Sequence, residues 1–526
     1  MITEALGTIL AAQSCLQQAT FDFLNACTTL KSAVYRAKLV TDTDHNRIEA
    51  VLSEVKSQID SIAVVETQLQ SSRVTLEELL DAAAAHVPIH RLPPEILSRI
   101  FHITVASSPC CHMQDQREVL LDLVLVCARW RQIAIDGCSL WSHIDLHAGL
   151  FSRTTHPPAL LRTKLWLERS RGTSPHVHLC ADASEVEPET VASLVSMLQL
   201  HDMPASSLTL FTTRGTSLSQ ALLNLYIGDG TLCSLETLAV ARVWVFDQLS
   251  TIPRSGNPLR GLMHLKLEHI VFTSLEFDRF SRMLSDCPRL CTLRLRELSL
   301  EKSSQQNIPM IALPNLELLE LAHMRGDGLE QLYAALYPGL LKLDLRWELA
   351  SFTEEKFASL KPLLGRSNTA SLAIREDSFR PKNPLSEPYL LSVPHLRALH
   401  LNCGTFEPSY TLSELAASPI SYFPHFEYLS IFNGEITMGV MDQIKHIVSN
   451  RNLRSLVFLD CRFPPSFDNC NATARAALIT MPENTRRWLC ERIGRVVVRE
   501  TPPRRVPHYI DFLEAEWMEV DRPSVI

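Results

Sequence analysis

LMHLKL at residues 262–267 and LCTLRL at residues 290–295 share one pattern, in which leucine stands at the first, fourth and sixth positions. Clear copies recur at Leu235/Leu238/Val240, Leu316/Leu319/Leu321, Leu340/Leu343/Leu345, Leu396/Leu399/Leu401, Phe426/Leu429/Ile431 and Leu453/Leu456/Phe458. Degenerate copies fit at Trp141/Ile144/Leu146, Ser174/Val177/Leu179, Ala205/Leu208/Leu210 and Thr369/Leu372/Ile374. Successive anchors lie between 24 residues (316 to 340) and 33 residues (141 to 174) apart. A fixed period of this length marks a chain built by stacking one small unit many times. Amphipathic stretches such as LEFDRFSRMLSDCP and MDQIKHIVSN lie between the triplets and read as helices.

The period and the triplet resemble leucine-rich repeats. That resemblance implies an α/β solenoid with parallel strands on its concave face and helices on its convex face. The second and third leucines then point inward, and their neighbours point out along the concave wall. Those outward positions are His264, Lys266 and Glu268, then Thr292, Arg294 and Arg296, then Glu320, then Lys342, Asp344 and Arg346. Further on they become His400 and Asn402, Tyr428, Ser430 and Phe432, and finally Ser455, Val457 and Leu459. Arginine forks suit carboxylates and phosphates, and aromatic residues anchor interfaces. The expected target is therefore a protein with an acidic or phosphorylated segment. It would lie on Arg294, Arg296, Lys342 and Arg346, with an apolar anchor on Tyr428 and Phe432, and His400 is a further candidate contact. The plainer alternative is a solvated charged face, with Val457 and Leu459 serving only to cap the last unit.

Upstream of the repeats, residues 89–141 begin IHRLPPEILSRIF and end LLDLVLVCARWRQIAIDGCSLW. Pro93 and Pro94 sit where a first helical turn has no use for its amide donors, and Glu95 suits the positive end of that helix. Ile96, Leu97, Ile100 and Phe101 form one apolar face. Leu123, Val126, Cys127, Trp130 and Ile133 form a second stripe, with Arg129 and Arg131 turned elsewhere. Helices this short cannot bury a core unaided, so part of this surface should meet a partner.

LPPEIL-x-x-IF, VCARW-x-x-IA and a downstream LW resemble the F-box motif, in the form common in a large fungal F-box-like family. The resemblance implies docking on the Skp adaptor of a cullin–RING ubiquitin ligase. The adaptor-facing residues would be Leu92, Pro93, Ile96, Leu97, Ile100 and Phe101 from the first segment, and Val126, Cys127 and Trp130 from the second. The polar insert HITVASSPCCHMQDQREV (102–119) is longer than a compact F-box carries.

The remaining chain divides around these modules. Residues 1–86 hold no proline and read as helix, with a heptad seam at Leu52, Val55, Ile59, Ile62, Glu66, Leu69, Arg73, Leu76 and Leu80. That seam either folds back within the chain or mediates self-association. A helical segment ahead of the box is also familiar in the fungal family. The expected organisation is a helical segment at 1–88, the F-box-like module at 89–141, the solenoid at 142–463, and a cap and tail at 464–526. In the tail, Trp488, Leu489 and Ile493 share a closing face, VVVR reads as an edge strand, and PPRR at 502–505 is a small basic cluster.

Composition limits the function further. A net charge of −8 on 526 residues argues against nucleic acid or an anionic membrane as the main partner. No apolar run reaches the roughly 18–20 residues of a membrane span. MITEALGTILAAQ lacks the basic start of a signal peptide, so a cytoplasmic or nuclear location is expected. The fourteen cysteines form no paired CxxC sets and read as reduced thiols, and the Asn471 sequon then carries no meaning. Cys110 and Cys111 in the insert are candidate redox-sensitive thiols. Cys287, Cys291 and His323 fall short of a zinc set.

No phosphate-binding loop, dinucleotide fingerprint, nucleophile elbow or HExxH is present, so neither catalysis nor a cofactor nor a metal is expected. Two readings remain open. One is a ligase substrate receptor, with transfer of ubiquitin left to other subunits. The other is an interaction scaffold whose box-like hairpin only caps the solenoid.

Overall fold

The computed structural model describes residues 2–36, 45–84, 88–106, 113–151, 157–170, 172–181, 186–200, 205–212, 217–228, 233–242, 258–303, 308–348, 354–375, 390–403, 409–463 and 481–499. Two compact units emerge. One comprises residues 1–99 and 122–133, the other residues 100–121 and 134–526. Cys110, Cys111, Asn471, the 464–480 stretch and the tail with PPRR lie outside the described residues.

The proline-free start forms two long helices, α1 (Ile2–Arg36) and α2 (His45–Ala84). Ile59, Ile62, Leu69 and Leu76 of the α2 seam are exposed, as are Phe21 and Leu24 of α1. A short 3-10 turn at Pro88–Arg91 follows, and then α3 (Pro94–Ala106), α4 (Met113–Val126) and α5 (Ala128–Asp136). Pro94 opens α3 and Glu95 lies in its first turn, where a missing amide donor is harmless and a negative charge is favoured. Both ends of the polar insert are helical, because α3 runs on to Ala106 and α4 begins at Met113.

Among the described residues, thirteen strands form one sheet, in sequence order. The first five are β1 (His143–His147), β2 (His176–Ala181), β3 (Ala205–Thr212), β4 (Cys233–Ala241) and β5 (His264–Glu268). Then come Thr292–Arg296, Leu318–Ala322, Leu343–Glu348, Thr369–Arg375, Ala398–Asn402, Tyr428–Phe432, Ser455–Leu459 and Arg495–Arg499. Each neighbour pairs in parallel, and the central leucines align across the sheet: Leu265 with Leu293, Leu293 with Leu319, Leu319 with Leu345, and Leu345 with Leu372. These leucines are buried, each worth about 1.5–3 kcal/mol. Helices such as Ser274–Ser285 return the chain between strands, burying Phe277, Phe280 and Leu284. This is the α/β architecture expected of stacked units.

Six of the strands end alike. Arg242, His269, Glu297, His323, Asn433 and Asp460 each follow directly on a strand and each have φ between 51° and 59°. Left-handed backbone is uncommon away from glycine, so its recurrence marks one turn used repeatedly. The amides of Arg242, His269, Glu297 and Asn433 donate to the carbonyls of Glu268, Arg296, Ala322 and Leu459, the last residues of the next strands. The chain thereby leaves the sheet at the same point each time.

One expectation needs correcting. Leu340 is not an inward anchor, because it is 93% exposed. Leu336–Pro338 instead pairs with Ile311–Leu313 in a small separate strip, which buries Leu336. At Gly339 an added Cβ would collide with the Pro314 carbonyl, and the chain turns outward just beyond it. The edge strand expected at VVVR is Arg495–Arg499, the last strand of the sheet order, and it is preceded by the helix Glu483–Cys490. Leu489 and Ile493 are buried there in the main core, with Trp488 packed partly against it.

Candidate docking surfaces

The first surface lies on the box helices. The Arg129 guanidinium donates to the Leu92 carbonyl at 2.7 Å, tying the start of α5 to the segment that leads into α3. Arg131 reaches back to the Val124 carbonyl at 3.2 Å, and the Trp130 amide donates to Cys127 Sγ at 3.4 Å. Arginines that sequence reasoning set aside therefore clip these helix ends together. Nothing in the apolar periodicity signals such a role.

The nine residues expected to face an adaptor fall into three groups. Pro93, Ile96 (46%) and Val126 (54%) are exposed. Leu92, Ile100, Cys127 and Trp130 are half-buried. Leu97 and Phe101 are fully buried, so they serve as core beneath the surface rather than as part of it. Periodicity alone could not separate Ile96 from Leu97, because adjacent residues on a broad apolar stripe both look inward. Leu125, at 71% exposure, was not foreseen and adds to the exposed apolar set.

The second surface is the sheet face opposite the buried leucines. The sequence predicts open cations there, but the structure has a ladder of ion pairs. Glu268 receives Lys266 Nζ at 3.1 Å and Arg296 Nη1 at 3.2 Å. Arg296 also pairs through Nε with buried Glu320, whose other oxygen lies 3.8 Å from Arg294 Nε. Arg346 pairs with Asp344 at 3.2 Å, and Ser371 donates to the same carboxylate at 3.0 Å. Burial pulls the Glu268 carboxyl upward, yet Lys266 and Arg296 hold it below its ordinary value. Asp344 goes the other way, with burial outweighing Arg346 and Ser371 to push its carboxyl up.

The other proposed contacts change accordingly. His400 is buried, and its imidazole is pushed down to about 3 by burial and by the charge of Arg346, so it is neutral. Phe432 is buried with Ala373, Val457 and Leu459 in a small apolar cluster on this face. Lys342 is exposed but precedes its strand, and Tyr428 is half-buried. Of the seven residues, then, Arg296, Arg346, His400 and Phe432 are built into the fold. The signal was present in the sequence, because Glu268, Glu320 and Asp344 alternate onto the same face as the arginines.

Two buried or half-buried thiols are also structural. Cys287 is buried, with its thiol pushed up to about 12 by burial and by Asp286. Cys461 donates to the Ile431 carbonyl at 3.2 Å, and burial pushes its thiol up to about 12 as well. Among the described residues no helix is long and apolar enough to cross a membrane.

What the geometry offers is a helical module with exposed apolar side chains, followed by a long parallel sheet backed by helices. Residues 89–147 match the protein-family model described as F-box-like. The chain therefore carries an F-box-like domain, which begins where the motif resemblance begins and continues beyond Trp141 to the end of β1. A search of curated proteins found no match.

Proposed function

We propose that this chain is the substrate-receptor subunit of a Skp–cullin–F-box ubiquitin ligase. The observation that carries the reading is the F-box-like match combined with apolar exposure at Ile96, Leu125 and Val126 on the same helices. Exposed apolar side chains on a small helical module are what a partner helix buries. Docking would use Pro93, Ile96 and Val126, with half-buried Leu92, Ile100, Cys127 and Trp130 at the margin. The stacked units of the sheet, read as leucine-rich repeats, would hold the target, and transfer of ubiquitin would be performed by other subunits. The chain's contribution is proximity, because tethering raises the effective concentration of target lysines near the transfer machinery. The ion-paired sheet face fits a target of mixed charge better than a purely acidic one, since its arginines already have carboxylate partners. A cytoplasmic or nuclear location goes with this role.

The burial of Leu97 and Phe101 favours a second reading, an interaction scaffold whose box-like helices are structural only. Co-purification separates the two. The intact chain, co-expressed with a Skp adaptor, a cullin and a RING subunit, should recover all three partners, and a Leu92→Ala, Ile96→Ala double variant should lose them while remaining folded by circular dichroism. Failure of the intact, folded chain to recover the adaptor would establish the scaffold.

A further inference from the structure

The first two strands of the sheet carry HIDLH (143–147) and HVHLCA (176–181). Their apolar positions Ile144, Leu146, Val177 and Leu179 are buried in the main core. Strand alternation sends the others to the opposite face. Parallel pairing then sets His143 beside His176, Asp145 beside His178, and His147 beside Cys180. Five of these six residues are histidine or cysteine, on a face whose later strands carry mixed charge. His143 Nε2 lies 3.2 Å and His178 Nδ1 lies 3.4 Å from the same oxygen, Asp145 Oδ1. All three atoms fall within 4.8 Å of one another.

We propose that His143 Nε2, Asp145 Oδ1 and His178 Nδ1 bind a divalent transition-metal ion of the zinc class. Two imidazoles and one carboxylate form a donor set that suits zinc and its first-row neighbours. With metal–ligand bonds of about 2.0–2.1 Å, tetrahedral geometry places neighbouring ligand atoms about 3.3–3.4 Å apart, close to the two spacings observed. The Asp145 side chain is only 6% exposed and that of His178 only 10%, so the donors are already withdrawn from water. A fourth position would go to water or to His176, whose ring centroid lies 6.4 Å from that of His143. Because β1 is the edge strand of the sheet, an ion shared by β1 and β2 would clamp the strand most prone to fray. Sequence reasoning passed over these residues because it read both segments only for their degenerate leucine-like positions.

The test uses the full-length chain stripped with EDTA and titrated with Zn2+ against a chromophoric chelator. Expected is one Zn2+ per chain at this site, with affinity at least tenfold weaker in His143→Ala and in the near-isosteric Asp145→Asn. His446→Ala, which removes an exposed histidine on a distant helix, should bind as the original chain does. Substitution with Co2+ should give the spectrum of nitrogen and oxygen ligands. Zn2+ should also slow amide exchange in β1. Equal Zn2+ affinity in the original chain, His143→Ala and Asp145→Asn would overturn the proposal, as would a thiolate charge-transfer band with Co2+ or unchanged exchange in β1. The cluster would then be a hydrogen-bonded His–Asp–His network alone.

Discussion

Ile96 and Leu97 are neighbours on one helix with opposite exposures, 46% and 0%. Their contrast separates docking from folding. Ile96→Asp should leave urea stability within about 0.5 kcal/mol of the original, as surface changes usually do. Leu97→Ala should cost about 2–5 kcal/mol, because it opens a cavity in a packed interior. Equal destabilisation by both would place Ile96 in the core and remove the docking argument. Glu414 offers a second test at this scale. Burial pushes its carboxyl up to about 7, against the opposing amide bonds from Leu390 and Leu391. A carboxyl whose folded pKa is raised holds its proton more tightly when folded. The stability it contributes is therefore greatest below the ordinary glutamate range, about 4.3, and declines as pH rises to about 7. Glu414→Gln should flatten that decline and gain about 1–2 kcal/mol at pH 8, read by urea unfolding at pH 5 and pH 8. An unchanged slope would mean the carboxyl is ionised in the fold. None of this was legible in the sequence, because burial of this carboxyl depends on the helix Ser409–Ala417 packing against the turn Leu390–Ser392, which lies far from it in sequence.

Among the elements, the helix Ser274–Ser285 shows how much the local sequence specifies. Thr273 accepts from the Glu276 amide, and the Glu276 carboxylate accepts from the Thr273 amide at 2.7 Å, a complete capping box. Thr273→Ala should therefore cost about 1 kcal/mol in thermal or urea unfolding. No loss would mean that packing of Phe277 and Phe280, rather than the cap, sets the start of the helix. The strands were equally legible. The second and third positions of all twelve triplets, such as Leu265 and Leu267 or Leu293 and Leu295, fall on strands of the one sheet, because period-2 burial and a recurring anchor are both local signals. Leu340 misled because a leucine beside a proline–glycine turn carries the same letter whether it points in or out. The polar sheet face misled for another reason. The partners of its cations, Glu268, Glu320 and Asp344, come from adjacent strands or from a position two residues away, so the strand Thr292–Arg296 read alone shows only unpaired charge.

At the scale of the whole molecule, the chain combines a long helical start, an F-box-like domain and a thirteen-stranded sheet. The α2 seam exposes Ile59, Ile62, Leu69 and Leu76, the surface that self-association through this helix would bury. Light scattering should then report a mass above 59.2 kDa for the intact chain and a lower order for an Ile62→Glu, Leu69→Glu variant. A monomer at all concentrations would discard this role for the seam. The box was legible because its motif spans helix start, apolar faces and tryptophan together, whereas which faces stay open depended on tertiary packing. The central claim is that those open faces bind a Skp adaptor. Calorimetric titration of purified adaptor into the intact chain tests it most directly, with Ile96→Asp as the comparison. The account predicts saturable one-to-one binding by the intact chain, weakened at least a hundredfold by Ile96→Asp, which removes an apolar contact and buries an unpaired charge. No binding by the folded intact chain, or equal binding by the variant, would contradict it.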